Sequence, residues 1–442
     1  MDTVETQQVR YEFAERIRRL RAERGLTQEE AAEALDVATG TYAAWEQGKS
    51  APRLEGLLAL ADYYDTSTDY LLERVEPIPS CLEERGVRWR PAWSEPRPEH
   101  VVAADILHRL IKGDSINAVA RSLDVGPNDV ERCVRDLVFH DRVSIQQVGR
   151  DDQLEAQIKQ YVRRRYDGFV PRDVRVATLG HIHSRLVRFV LLGHVAKEYF
   201  REKVRPGDSV GLCGGFAVSR MLYALERGEC PAGIRVLPVA VSPVFEMADV
   251  SANSLVGALA YRHHGLGVAA RELPVTFEDS ADQQLSPSRR IANRILEEAR
   301  TVDFVFMGAG APGTGALAKD IADERGDYLW LAGIDLSEIQ ERSNPVGNIL
   351  YHLVDEEGSP LPDFQERNEQ LVCSIGLGGL KRLVNAGKRV VLIALGADKA
   401  KVTSAAIQGG YANVLIVDDD LAHALLSADT TDQPDGSTRH GQ

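Results

Sequence analysis

Two glycine-rich segments of the sequence follow short apolar runs and could bind an anion. The first contains Gly214, Gly215 and Phe216, and the second contains Gly308 and Gly310. Where such a segment joins a strand to a helix, its backbone N–H groups can hold a negatively charged group without a basic side chain. Tight turns that close βα units would account for the same glycines, so both interpretations remain open.

Lys399 is the candidate cation for the same ligand. It stands at the predicted start of a helix, shortly after the apolar run 390–394. The carboxyl ends of parallel strands meet at one edge of a sheet, so this lysine and the glycine-rich segments would line one crevice. A solvated lysine at a helix start is the alternative interpretation.

Other combinations of residues that could do chemistry are weaker. The pairs His181/His183 and His263/His264 have no carboxylate at the spacing of a zinc site. The five cysteines include no C-x-x-C pair, and the glycines from 308 to 315 lack the Lys-Ser/Thr of a P-loop. No catalytic triad or carboxylate pair stands out. We therefore expect no metal, no cofactor and no catalytic residue.

The composition is that of a globular protein with several domains. The chain has 442 residues, is 44% hydrophobic and carries a net charge of −14. At about 150 residues per domain this length suggests about three domains, and the apolar fraction argues against disorder over most of the chain. The acidic balance argues against generic binding of polyanions, because phosphate contacts need Lys and Arg. This acidic balance is nevertheless compatible with one small DNA-reading domain within the chain.

The sequence also bears on location. The sparse and odd set of five cysteines fits a reducing compartment. The acidic N-terminus lacks an apolar signal segment, and no run of about 18 apolar residues occurs. We therefore expect a cytoplasmic protein that does not associate with membranes.

Strands and helices alternate from residue 151 onward, and these elements would position the glycine-rich segments. Continuous apolar strands between helices predict an α/β domain with a parallel, doubly wound sheet over 151–428. The polar tail 429–442 is predicted to be disordered. The strand candidates are 174–178, 209–212, 236–240, 304–307, 390–394 and 414–417, and helices are predicted over 186–200, 286–300 and 400–408.

Residues 8–75 have the pattern of short helices joined by tight turns. Gly25 ends the first helix, and Thr27 with Glu30 forms a capping box at the start of the second. Two further helices are predicted over 39–48 and 54–64.

The stretches IRRLRAERGLTQEEAA (17–32) and YAAWEQGKSAP (42–52) resemble the XRE/phage-repressor type of helix-turn-helix. This resemblance covers 10–72 and implies that 39–47 is a recognition helix, which enters the major groove by its N-terminal end. Gln28 at a helix N-terminus suits a phosphate or base contact. The remaining candidate DNA contacts are Thr39, Gly40 and Thr41 on the recognition helix, with Lys49 and Arg53 for flanking phosphates.

A structural or protein-binding helical domain is the alternative for this segment. Residues 1–75 contain nine Lys and Arg against fifteen Asp and Glu. Gly40, Ala43 and Ala44 leave the recognition helix poor in hydrogen-bond donors. Base readout would then depend on Gln28, the threonines, methyl contacts and DNA shape.

Two further segments separate this domain from the α/β domain. Five prolines predict a stiff linker without regular structure over 76–98, namely Pro77, Pro79, Pro91, Pro96 and Pro98.

Within 99–150, Ser115 caps a helix, Pro127 begins another, and 142–145 predicts a short strand, as in a winged helix. SINAVARSLDV (115–125) resembles the core of bacterial winged helices. Acidic residues on the helix 127–137 leave DNA reading and a role as spacer or dimerisation unit equally open.

Three segments in the α/β part carry another resemblance. They are VGLCGGFAV (210–218), NPVGNIL (344–350) with DEEG (355–358), and VVLIALGADKA (390–400) with GGYANVLIVD (409–418). In order and spacing they look like the sugar-binding domain of SorC/DeoR-type transcriptional regulators, over about 101–427. The resemblance implies a Rossmann-like relative of sugar-phosphate isomerases that has lost catalysis and binds phosphorylated sugars.

The resemblance also marks residues of the ligand site and departures from the family. Asn348 stands in the ligand loop, where the family usually has Asp. Cys213 and Ala217 replace a small polar residue and a hydroxyl residue that often contacts phosphate. The expected ligand is therefore an anionic metabolite, either a phosphorylated sugar or a nucleotide-like molecule.

Together these features predict a transcription regulator whose α/β domain senses a small effector and controls operator binding. Effector binding would change how the protomers of a dimer or tetramer associate, and so the spacing of paired DNA readers. One alternative is an enzyme of the isomerase-like fold with a DNA-targeting module. The other is a regulator whose degenerate sensor serves assembly or a protein partner.

Overall fold

The computed structural model describes residues 4–64, 71, 82–84, 87–91, 98–139, 143–166, 171–226, 228–241, 250–274, 287–310, 345–362 and 372–431. The chain divides into two compact units. One comprises Met1–Glu84 and Arg88–Gln146, and the other comprises Arg85–Val87 and Gln147–Gln442.

The first unit begins with four helices around a small apolar core. The capping box at the start of the second helix is confirmed, because Thr27 accepts from the Glu30 backbone N–H while the Glu30 carboxylate accepts from Thr27 N–H. Ile17, Tyr42 and Leu60 are fully buried in the core. The helices are α1 (Val4–Glu23), α2 (Gln28–Ala34), α3 (Thr39–Glu46) and α4 (Leu54–Tyr64).

Three strands and three helices follow. The strands are β1 (Leu82–Glu84), β2 (Val87–Pro91) and β3 (Val143–Gln147), which form a sheet in the order β1-β2-β3. The helices are α5 (Pro98–Lys112), α6 (Ile116–Leu123) and α7 (Pro127–Phe139). Ser115 caps α6 by accepting from the Ala118 N–H, as predicted.

The prediction that 76–98 lacks regular structure is wrong in part. Both β1 and β2 lie within it, and α5 already begins at Pro98. Val87 and Trp89 favour extended backbone, and Pro91 stands at the end of its strand, where a missing N–H disrupts little pairing. Pro98 takes the first position of a helix, which proline tolerates. Pro77, Pro79 and Pro96 lie outside the described residues.

The second unit is built on an eight-stranded sheet. Its strands are β4 (Asp173–Ala177), β5 (Ser209–Cys213), β6 (Arg235–Val241), β7 (Ala269–Ala270), β8 (Phe304–Met307), β12 (Cys373–Ser374), β13 (Arg389–Ala394) and β14 (Val414–Asp418). Three short strands form a separate antiparallel sheet in the order β11-β10-β9, namely β9 (Ala309–Gly310), β10 (Gly347–Ile349) and β11 (His352–Val354).

Helices alternate with these strands along the chain. They are α8 (Asp152–Arg165), α9 (Arg185–Lys203), α10 (Phe216–Tyr223), α11 (Ala252–Arg262), α12 (Pro287–Ala299), α13 (Gly376–Asn385), α14 (Ala400–Gln408) and α15 (Asp419–Thr431). The predicted tail is therefore helical over 429–431, because α15 continues to Thr431. The rest of the tail lies outside the described residues.

The order of the large sheet brings the glycine-rich segments to one edge. The order is β12-β6-β5-β8-β13-β14-β4, with β7 beside β6, and the pairs are parallel except that of β12 with β6. All six predicted strands are present, each with ends within one residue of the prediction. Continuous burial of β5, β8 and β14 explains why their sequences are uninterrupted apolar runs.

No helix in the described part of the chain combines the length and apolar character that crossing a bilayer requires.

Candidate functional site

The N-terminal end of α3 is open to an approaching ligand. Thr39, Gly40 and Thr41 are exposed, whereas Tyr42 and Trp45 on the same helix are buried in the core. The residue that caps α3, Ala38, has no side chain to accept from the first N–H groups. The N–H groups of Thr39 and Gly40 and the hydroxyls of the two threonines are therefore available to bases or phosphates, whereas the Thr41 N–H donates to the Ala38 carbonyl.

The two predicted phosphate contacts lie just beyond this helix. Lys49 and Arg53 are both exposed, in the segment between α3 and α4. Exposed cations on long side chains can reach phosphates with little desolvation, and each such contact strengthens binding to any DNA sequence.

A buried ionic network fixes the other end of α3. Glu46 is 1% exposed, and its carboxylate accepts from Arg21 Nε at 2.6 Å and from Gln28 Nε2 at 2.6 Å. Arg18 donates to the Glu46 carbonyl oxygen at 2.6 Å. Burial acts to raise the pKa of Glu46, but the hydrogen bonds from Arg21 and Gln28 outweigh it and hold the pKa below its usual value.

This network gives Gln28 a structural contact that the sequence did not predict. Its amide group holds α2 against α3 through Glu46, so its role in DNA binding remains a prediction. Arg21 likewise makes its contact within the domain, with the buried Glu46 carboxylate. Some of the positive charge on α1 therefore neutralises a buried carboxylate within the domain.

Loss of the Glu46 carboxylate should destabilise the DNA-reading domain. We expect Glu46→Ala to lower its free energy of unfolding by about 3 kcal/mol, because Arg21 would be left partly buried without its carboxylate. Urea unfolding of the full chain, followed by circular dichroism, measures this in the transition of that domain. Glu33→Ala, which removes an exposed carboxylate on α2, is the control. Equal stability of the two variants would contradict the role given to the network.

In the second unit, the first glycine-rich segment makes a tight connection between β5 and α10. Gly215 has a φ of 126° and donates its N–H to the Val250 carbonyl at 2.8 Å. A Cβ atom on Gly214 would lie 2.8 Å from that same carbonyl oxygen and 2.9 Å from the Tyr351 hydroxyl. Close packing therefore requires glycine at 214, and the left-handed backbone favours it at 215. The N-terminal N–H groups of α10 remain the part suited to an anion.

Gly310, in the second glycine-rich segment, lies directly against Asn348. Gly310 pairs with Asn348 across β9 and β10, and a Cβ atom on Gly310 would lie 2.1 Å from Asn348 Nδ2. A Cβ atom on Gly347 would lie 2.5 Å from a methyl group of Val402, so this sheet packs against α14. Asn348 is thereby held near the helix that Lys399 begins.

Lys399 ends the short turn between β13 and α14 and is half-buried. Burial, reinforced by the nearby Arg185 guanidinium, lowers its pKa to about 8, although Asp398 opposes the shift. An ammonium group that is partly desolvated in this way interacts more strongly with an anion than a fully solvated one.

A buried aspartate anchors the turn that carries Lys399. Asp418 accepts from the Gly396 N–H at 2.9 Å with one oxygen and forms an ion pair with Arg188 through the other. Arg188 also donates to Asp420 at 2.6 Å. Burial raises the pKa of Asp418 despite these bonds. The position of Lys399 is thus tied to α9 and α15.

Three of the predicted ligand residues meet at one edge of the sheet. Gly214, Gly308 and Lys399 follow β5, β8 and β13, which are neighbouring parallel strands. Phe216 begins α10 at the same edge, and the sheet β9–β11 adds Gly310 and Asn348. The carboxyl edge of a parallel sheet is where such domains bind ligands.

Tyr351, whose hydroxyl faces Gly214, is not among the site residues that the sequence predicts. Leu350 and Tyr351 connect β10 and β11 in a two-residue turn with φ values of 48° and 67°. Such turns normally contain Asn-Gly, and each bulky residue held in this region costs about 1–3 kcal/mol. No local pattern in the sequence predicts this turn. Strain of this kind clusters at functional sites, which supports a role for Tyr351 in shaping the crevice.

Within the described part of the chain, no group of three or more His, Cys, Asp or Glu side chains is arranged to hold a metal ion.

Comparison with known families matches both units. A helix-turn-helix family matches residues 17–71, and the family described as "Putative sugar-binding domain" matches residues 156–427. The chain thus combines a helix-turn-helix domain with an α/β sugar-binding domain. The second match covers more than half of the sequence, and the chain belongs to this sugar-binding-domain family.

Curated relatives are similar over shorter stretches. The cryptic phage CTXphi transcriptional repressor RstR of Vibrio cholerae is 46% identical over 90 residues, which are 20% of this chain and 78% of RstR. The transcriptional activator BcrR of Enterococcus faecalis is 37% identical over 67 residues, 15% of this chain and 33% of BcrR. The transcriptional regulator LsrR of Escherichia coli O9:H4 is 36% identical over 86 residues, 19% of this chain and 25% of LsrR. The chain therefore spans only a third and a quarter of the last two relatives.

Solved structures are similar to a larger part of the chain. The full-length sorbitol operon regulator SorC from Klebsiella pneumoniae has 18% identity and a TM-score of 0.48, covering 73% of this chain and 99% of that one. A transcriptional regulator from Streptococcus pneumoniae TIGR4 has 16% identity and a TM-score of 0.49, covering 63% of this chain and 99% of that one.

Proposed function

We propose that the protein is a transcription regulator that binds operator DNA with the N-terminal end of α3 and senses an anionic metabolite at the carboxyl edge of its large sheet. The observation that carries the proposal is the meeting of Gly214, Gly308 and Lys399 at this edge. The same chain contains a helix-turn-helix domain with an exposed recognition-helix end. The names of its relatives, which include a repressor and an activator, support the same class.

The domain assignment follows this division of labour. We assign 8–75 to DNA reading, 76–98 to the connection, and 99–150 to a second, winged-helix-like unit. The segment 151–428 forms the sensor, for which we propose a Rossmann-like, doubly wound fold and a role in oligomerisation. The succession of β5, α10 and β6, with parallel strands on either side of the helix, supports this assignment.

The ligand that suits the crevice is anionic. Lys399 and the N-terminal N–H groups of α10 both favour negative charge, and Asn348 and Tyr351 can hydrogen-bond to hydroxyl groups. A phosphorylated sugar offers both kinds of group, and a nucleotide-like molecule shares its phosphate. Loss of catalysis remains part of the proposal, because Asn348 rather than a carboxylate stands in the ligand loop.

Oligomerisation gives the acidic reader enough affinity for an operator. The chain carries a net charge of −14, and each copy offers few cations to phosphates. Two readers that engage half-sites about 34 Å apart bind far more tightly than one. We therefore propose a dimer or tetramer whose geometry responds to the effector. A monomer in multi-angle light scattering at micromolar concentration would contradict this part of the proposal.

The function is tested in two linked experiments. A thermal-shift screen of phosphorylated sugars, nucleotides and the matching uncharged sugars should identify phosphorylated compounds that raise the melting temperature of the full chain. Operator DNA selected from a random library should then bind with an affinity that the same compound changes. If no phosphorylated compound stabilises the chain, the proposed sensing function is wrong. If no DNA sequence is selected from the library, the proposed DNA-binding function is wrong.

A further inference from the structure

Arg185 lies beside the crevice, where its guanidinium adds to the effect of burial on the pKa of Lys399. It is the first residue of α9, and its Nη2 donates to the Asp398 carboxylate at 2.9 Å. Asp398 belongs to the turn between β13 and α14 and immediately precedes Lys399. The Arg185 guanidinium is therefore bound by Asp398, a carboxylate on the turn that carries Lys399.

Aromatic contacts connect Arg185 to the first glycine-rich segment. Its guanidinium carbon lies 5.9 Å from the centre of the Phe189 ring, and Phe189 lies 6.5 Å from the ring of Phe216. On the other side, a Cβ atom on Gly396 would lie 3.7 Å from Arg185 Nη2. The guanidinium thus lies between the α10 side of the crevice and the turn that carries Lys399.

The ion pair of Arg185 with Asp398 is one that a ligand can replace. The two side chains are 30% and 29% exposed, and pairs that are open to solvent in this way contribute at most about 1 kcal/mol. The Nε atom of Arg185 is buried and has no hydrogen-bond partner among the described residues. A phosphate group carries more charge than a carboxylate and can accept two parallel hydrogen bonds from a guanidinium.

We propose that Arg185 is a specificity-determining residue of the effector crevice, and that Asp398 occupies its guanidinium until the anionic group of the effector displaces it. This inference rests on the proposed sensing function and deepens it. Arg185 and Lys399 would then bind the same phosphate, with Asp398 turned away. An uncharged sugar cannot compete with the Asp398 carboxylate, so the pair selects for anionic ligands.

The proposal predicts opposite effects for the two partners. Removing the competitor with Asp398→Asn should tighten binding of a phosphorylated ligand about fivefold, which corresponds to a pair of about 1 kcal/mol. Removing the guanidinium with Arg185→Gln should weaken binding at least tenfold, and Arg185→Lys should give an intermediate loss. Because Asp398 competes for the Arg185 guanidinium, and Lys399 is charged at pH 6.5 with or without Asp398, the double variant should bind close to Arg185→Gln alone.

The test is isothermal titration calorimetry on the full chain at pH 6.5, where Lys399 is charged. The probes are glucose 6-phosphate, inorganic phosphate and glucose, together with the phosphorylated compounds that stabilise the chain in the screen. Arg205→Gln and Asp152→Asn remove the same charges at exposed positions elsewhere in the domain and should bind like wild type. Thermal melting of each variant separates misfolding from loss of binding.

The outcomes separate this inference from the function on which it rests. If wild type binds a phosphorylated probe and Lys399→Ala weakens it, while Arg185→Gln binds like wild type, the role of Arg185 is overturned and the sensor stands. If Asp398→Asn binds no tighter than wild type, the competing role of Asp398 is overturned. If wild type binds none of the phosphorylated probes, the sensor and this inference fail together.

Discussion

Replacement of Thr41 by glutamate should reduce the affinity for operator DNA by about 100-fold while leaving the fold intact. Thr41 is exposed at the N-terminal end of α3, where a new carboxylate would face bases and phosphates. A lost base contact costs about 1–3 kcal/mol, and repulsion from the backbone phosphates adds to this. Because two readers would share one operator, the loss would count twice. Fluorescence anisotropy with a labelled selected operator measures the effect.

A matched control distinguishes local from overall charge. Gln408→Glu adds the same negative charge at an exposed position of α14, in the other unit. It should leave operator affinity within about twofold of wild type, because it leaves the surface of the DNA-reading unit unchanged. If Thr41→Glu binds DNA like this control, recognition does not occur through α3. The helix α7 would then be the next element to test.

Removal of the Lys399 ammonium should abolish the response to effector at concentrations that just saturate wild type, without loss of operator binding. Lys399→Ala deletes the cation at the sheet edge, and charge-assisted hydrogen bonds of this kind contribute about 1.5–3 kcal/mol. We therefore expect effector affinity to fall by about 10-fold to 100-fold. Lys401→Ala, two residues further along the chain in α14, removes a lysine that is 70% exposed and paired with Glu356, and should have no effect. A full effector response in Lys399→Ala would contradict the assignment of the crevice.

The pH dependence gives an independent signature of the same residue. Burial lowers the pKa of Lys399 to about 8, so its charge is present at pH 7 and largely lost by pH 9. An ordinary lysine remains charged to about pH 10. Affinity for a phosphorylated effector should therefore fall about tenfold between pH 7 and 9, a range in which the phosphate itself stays doubly charged. Lys399→Arg keeps its charge and should bind with no such decline, and a decline of equal size in that variant would point to another group.

Much of the scaffold could be predicted because its signals are local. The apolar runs that became β5, β8 and β14 are buried on both faces, so each one is readable without knowledge of its neighbours. The capping box of Thr27 and Glu30 depends only on residues three apart. The strands hidden in the proline-rich segment were missed, because β1 and β2 exist through pairing with each other and with the distant β3.

The candidate site could be predicted only in outline. Gly214 and Lys399 were found because they follow strands, and strand ends at the same edge of a parallel sheet must come together. Contacts between residues that are far apart in the sequence could not be predicted in this way. Arg21 and Glu46 are 25 positions apart, and Arg185 and Asp398 are 213 apart. Nothing in their sequence spacing distinguishes these pairs from solvated charges.

The turn of Leu350 and Tyr351 has a consequence for attempts to make the protein more robust. Its backbone is the kind that Asn-Gly adopts without strain, but both side chains are buried in the core of this unit, so replacing them would exchange backbone strain for lost apolar packing. The same replacements would remove the hydroxyl that faces Gly214. Attempts to stabilise the protein should therefore leave this turn unchanged, although its backbone geometry alone would suggest replacing it.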